Sequence, residues 1–129
     1  MNRVSKALLP LAAACAALTL AGGAAAQAYQ PSSPEAARPE NLADMQCMAV
    51  YGYLAGRGDE NVAAGALGMF YFLGRLEGRA PAVDWMRELY LLTDTLTDEA
   101  LAPHFQRCGQ VLIDRGEAMQ AAAALYSEN

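Results

Sequence analysis

The stretch that decides the fold is Val62-Ala-Ala-Gly-Ala-Leu-Gly-Met-Phe-Tyr-Phe-Leu-Gly-Arg-Leu-Glu77. Val62, Ala66, Met69, Phe70, Leu73 and Leu76 recur at three- and four-residue steps, the period of a helix face and not of a strand. Leu67 and Tyr71 cover much of the remaining circumference. A helix apolar nearly all round belongs at the buried centre of a domain. The run from Val62 to Leu76 is too short to cross about 30 Å of hydrocarbon, and charges close both ends.

Working outward, the spacing predicts three further helices. Asn41 to Leu54 comes first, with Asn41 as N-cap and Gly56-Arg57-Gly58 as its end. The central helix is read from Glu60 to Glu77, capped by Asp59 and stopped by Gly78. A third begins near Pro81, a residue suited to a first turn, and runs to Asp94; Trp85, Leu89, Leu92 and Leu96 form its stripe. Thr95 or Thr97 caps the last helix, which runs to Tyr126 with Asp98 and Glu99 at its positive end. Pro103 is expected to kink it or split off its first turn. Its stripe is Leu101, Phe105, Cys108, Leu112, Met119 and Tyr126, interrupted where Arg115 falls. Glycines at 52, 65, 68, 74, 109 and 116 fall inside these helices, each costing about 1 kcal/mol relative to alanine. Close helix crossings are the expected reason.

The N-terminus reads differently. Arg3 and Lys6 precede an apolar run from Leu8 to Leu20, and Ala24-Ala25-Ala26 or Ala26-Gln27-Ala28 offers a cleavage site. That order is the signature of a secretory signal peptide over residues 1–28, removed on export to the periplasm or beyond. Cys15 leaves with it. Residues 29–40 carry Pro31, Pro34 and Pro39 and read as a flexible leader. Residues 41–127 form the domain. The expected architecture is all-α, a four-helix bundle closed by one disulfide.

The exported chain is acidic. Seven arginines face fourteen acidic residues, a net of −7, and the only lysine is lost with the signal. Nucleic-acid binding needs a basic face and is excluded as an expectation; a lysine-based Schiff-base mechanism is excluded with the lysine. No stable membrane span is expected after processing. Mature serines are Ser32, Ser33 and Ser127, near the ends, so no serine-hydrolase motif exists. Asp98 and Glu99 are adjacent and suit a helix start better than a hydrolytic pair. Arg57-Gly58-Asp59 matches an adhesion tripeptide, but the same letters make a glycine turn and a helix cap. The chain is read as no enzyme, with no cofactor.

Two cysteines remain, Cys47 and Cys108. An oxidising compartment favours a structural disulfide between them, and closing a loop near 60 residues is worth about 4 kcal/mol in the chain-entropy model. The sharper alternative is a soft metal or redox site of Cys47, Cys108, His104 and Met48. Arg75, Arg79 and Arg87 are candidates for a partner's carboxylates; the plainer reading pairs them with Glu77, Asp84 and Glu88.

The run Gly68 to Pro81, with Arg107-Cys108-Gly109 downstream, resembles a group of short, exported, uncharacterised bacterial helical proteins over most of residues 42–126. That resemblance implies no activity. In outline alone the chain is similar to periplasmic acid-stress chaperones and to exported immunity proteins. The functional expectation is a non-enzymatic binding or chaperone-like protein of the bacterial periplasm. The alternatives are an immunity or inhibitor partner of a toxin or envelope enzyme, and a small metal or redox protein. A protein partner is expected, with the chain itself a monomer or homodimer.

Overall fold

The computed structural model describes residues 28–58 and 60–127. The signal segment lies outside them apart from Ala28, and so does the proposed cap Asp59. Four helices make up the domain: α1 (Pro39–Gly56), α2 (Val62–Arg79), α3 (Trp85–Thr93) and α4 (Asp98–Ser127). No strand occurs among the described residues. The four-helix, disulfide-closed architecture is the one the spacing predicts. None of these helices is long and apolar enough to cross a membrane.

The helix ends differ from expectation in informative ways. Pro39 occupies the first position of α1, where its missing N–H costs nothing, and Asn41 lies inside the helix instead of capping it. Gly58 lies in the α1–α2 connection with φ +69°, a left-handed conformation that glycine adopts without a Cβ clash. Pro81 sits in a turn, and α3 starts four residues later. Its cap is Asp84, whose Oδ1 accepts from the Arg87 N–H at 3.0 Å. Thr97 Oγ1 accepts from the Ala100 N–H at 3.3 Å at the start of α4. That helix then runs unbroken through Pro103, which lies near enough to the start that few ladder bonds are lost.

The centre of the bundle is α1 and not α2. Helix α1 packs against all three others and buries Asn41, Asp44, Met45, Cys47, Met48, Ala49, Val50 and Tyr51. On α2 only Phe72, Leu76 and two glycines are fully buried, while Leu67 and Phe70 are 71% and 69% exposed. Apolarity all round α2 thus includes a face that the fold leaves in water. Polar residues in α1 concealed its central place, because each of its buried polar groups has a specific partner. In α3, Trp85, Leu89 and Leu92 are buried as the stripe requires, and the Trp85 indole N–H donates to the Ala80 carbonyl at 3.0 Å.

Helix packing explains two of the glycines. A Cβ on Gly65 would lie 2.4 Å from the Ala55 nitrogen, and one on Gly68 would lie 2.3 Å from the Tyr51 ring. These are the points where α2 crosses α1. At Gly74, Gly109 and Gly116 a Cβ would meet nothing within 4 Å, so the crossing argument fails there.

The leader also departs from the loose extension its prolines suggest. Ala36 is fully buried, and residues 29–38 lie against α3 and the start of α1 through the bonds described next.

Candidate functional site

The disulfide is the fixed point from which the site is built. Cys47 of α1 and Cys108 of α4 are bonded, 61 residues apart in sequence, with Cα atoms 5.3 Å apart. Both are fully buried. One residue earlier in α4, the Arg107 guanidinium donates to the Ala43 carbonyl at 3.2 Å and to Gln46 Oε1 at 3.1 Å. Phe105 meets Tyr53 edge to face, centroids 6.1 Å apart. Three contacts of different kinds therefore hold the first half of α4 on α1.

The soft-metal alternative loses its thiolates to this bond. His104 packs beside Arg107, with Nδ1 3.4 Å from its guanidinium. Burial, and then that positive charge, hold the imidazole below its ordinary range. Met48 is fully buried and points elsewhere, lining a cavity with α2 and α3 residues. Among the described residues, no group of three His, Cys, Asp or Glu side chains could hold a metal ion.

Two of the three candidate arginines converge, though not on the carboxylates expected. Arg75 Nε and Arg79 Nη2 lie 3.0 and 2.5 Å from the same oxygen of Asp44. Arg79 Nε donates to Asn41 Oδ1 at 2.7 Å, and Asn41 Nδ2 donates to the Glu35 carbonyl at 2.8 Å. Arg75 also lies over the rings of Tyr71 and Phe72, 5.7 Å from each centroid. This chain of charge and amide contacts ties α2 to α1 and α1 to the leader. Its carboxylate is buried and already holds two guanidinium groups, so it reads as a clamp and not as an open anion site. Arg87 stands apart in the first turn of α3.

A second buried carboxylate has no arginine against it among the described residues. Glu88 of α3 is 1% exposed and accepts from the leader: the Tyr29 hydroxyl at 2.5 Å, the Ser32 N–H at 3.2 Å, and the Ser32 hydroxyl. Burial, and then the hydrogen bond to Glu88, push the Tyr29 hydroxyl well above the usual phenol range. Three hydrogen bonds thus satisfy a carboxylate that water cannot reach. No sequence signal announced it, since its partners lie 56 and 59 residues away.

The most site-like feature is apolar. Met48 and Ala55 from α1, Ala66, Met69, Phe70 and Leu73 from α2, and Met86 from α3 line a cavity of about 270 Å³. Three methionines thus reach it from three different helices. Phe70 at its rim is 69% exposed and Met86 is 39% exposed. Thioether side chains are unbranched and adaptable, which suits varied apolar guests. The sequence placed Met69, Phe70 and Leu73 on one helix face, but only the fold brings Met48 and Met86 to them.

No protein-family model matches the chain, and neither curated proteins nor solved structures offer a significant match.

Proposed function

We propose that this chain is an exported, non-enzymatic binding protein of the bacterial periplasm, chaperone-like in action, which receives apolar side chains of other proteins in the methionine-lined cavity. The observation that carries this reading is the convergence of Met48, Met69 and Met86 on one open apolar cavity with Phe70 exposed at its rim. An exposed aromatic beside an adaptable apolar recess is the arrangement that anchors a partner's large side chain. At about 270 Å³ the cavity exceeds the roughly 150 Å³ that houses benzene in an apolar protein interior. It therefore suits one aromatic or aliphatic anchor residue.

The scaffold suits the task. The Asp44 clamp ties the α2 wall to the α1 wall and the Glu88 bonds tie α3 to the leader, which favours a site already formed before a partner binds. The test uses an environment-sensitive apolar dye and a fluorescently labelled peptide with a single central Leu or Phe. Both should bind the native protein and compete with one another. Phe70→Asp, at an exposed position, should weaken both by about tenfold, equivalent to about 1.4 kcal/mol, without changing the circular dichroism. Absence of binding, or binding indifferent to Phe70→Asp, would sink the proposal.

A further inference from the structure

Three of the five methionines among the described residues line one cavity, each from a different helix: Met48 from α1, Met69 from α2 and Met86 from α3. The other lining residues are Ala55, Ala66, Phe70 and Leu73. No lining side chain carries nitrogen or oxygen, so thioether sulfur is the one kind of donor atom that side chains supply there. The Met69 sulfur can be placed further. It lies over Gly52 of α1, where an added Cβ would come within 3.4 Å of it. Gly52 stands one turn after Met48, on the same face of the helix. The α2 sulfur therefore sits against the turn of α1 that follows Met48.

This donor set selects its guest. Thioethers are soft ligands that favour copper(I), whereas magnesium, calcium and manganese take oxygen. Zinc prefers thiolate, imidazole and carboxylate. Cys47 and Cys108 are joined in their disulfide, so thioethers are the sulfur donors that the described residues have left. A lone charge in an apolar recess is costly. Here the charge is single, the sulfurs are polarisable, and their unbranched stems can turn to close on an ion. Phe70, 69% exposed at the rim, offers a ring face to a cation, and the half-exposed Met86 gives the ion a route in.

We propose that Met48, Met69 and Met86 form a three-thioether site for copper(I). It differs from the mixed set of Cys47, Cys108 and His104 set aside above, and shares only Met48 with it. The ion would occupy the cavity assigned to a partner's apolar side chain, but its binding does not rest on that reading. The ion needs sulfur, whereas the side chain needs only an apolar wall, and replacing methionine by leucine separates the two.

Copper(I) titration of the mature, disulfide-bonded protein against the chromophoric chelator bicinchoninate, without thiol reductants, tests it. The expected result is one copper(I) withheld per chain, with sulfur as its X-ray absorption shell. Zinc in excess should not displace it. Met69→Leu and Met86→Leu should each weaken binding at least about tenfold, because leucine keeps the volume and apolarity and removes the sulfur. Met119→Leu, outside the cavity, should change nothing. The apolar dye should bind both cavity variants as it binds the native protein. A native protein that withholds no copper overturns the site, and so does binding that the Met69→Leu/Met86→Leu double variant keeps. Loss of dye together with copper would trace the effect to cavity shape and overturn sulfur as the ligand. Dye binding without copper binding removes this site and leaves the side-chain reading standing; copper binding without dye binding does the reverse.

Discussion

Gly68 and Gly74 lie six residues apart on one helix and should respond oppositely to the same substitution. A methyl group on Gly68 would enter the Tyr51 ring, whereas one on Gly74 would meet nothing within 4 Å. Gly68→Ala should therefore destabilise the protein by about 1–3 kcal/mol, as overpacking does. Gly74→Ala should stabilise it by up to about 1 kcal/mol through helix propensity. Urea unfolding of the two variants decides the matter, and equal effects would refute the crossing geometry. His104 adds a pH effect at the same scale. Burial and Arg107 lower its folded pKa, so below about pH 6.5 the unfolded chain binds its proton more readily than the folded one. Its contribution is present while the ring is neutral and is lost as pH falls through that range. His104→Gln should flatten stability against pH between about 6.5 and 5, measured by denaturant midpoints. An unchanged slope would show that the ring feels neither burial nor Arg107.

At the scale of elements, the leader behaves as part of the bundle. Among the described residues its Tyr29 and Ser32 supply the hydrogen bonds to the Glu88 carboxylate, so removing one leaves a buried acceptor short of a partner. Tyr29→Phe should cost about 1.5–3 kcal/mol, the range for hydrogen bonds to charged groups, seen as a melting temperature lower by several degrees. Glu88→Leu combined with Tyr29→Phe should cost less than the sum of the two single changes, because the orphaned groups disappear together. Additivity would mean that the leader does not hold α3. The sequence disclosed this element only as proline-rich chain, because composition cannot register a contact made 59 residues away. The exchange of places between α1 and α2 has a related cause. Counting apolar residues ranks α2 as the most buried. It cannot see that Asn41 and Asp44 of α1 find Arg79 and Arg75. By contrast the stripes of α3 and the first half of α4 were legible, since a face that packs on one neighbour has the simple helical period.

For the molecule as a whole, the crosslink sets the scale of stability. Its 61-residue separation corresponds to about 4 kcal/mol of lost unfolded-chain entropy, out of the roughly 5–15 kcal/mol typical of a domain. Replacing both cysteines with alanine should lower the unfolding free energy by about that amount, and reduction of the native protein should match it. A loss below about 1 kcal/mol would mean that the unfolded chain gains little freedom when the link is cut. The cysteine pairing was legible because only two cysteines remain in the domain. The cavity was not, because Met48, Met69 and Met86 share no period along the chain, and only the placement of three helices brings them together.

The same link has a topological consequence for turnover. Both inter-helix turns of the first three helices lie inside the loop that it closes. A protease that nicks the exposed turn at Arg57 and Gly58 releases no piece: both fragments stay joined through Cys47 and Cys108. A nicked molecule would keep every residue, heavier only by the water added at the cut, until a thiol reached the buried sulfurs. Electrophoresis without a reductant would therefore still report one intact chain.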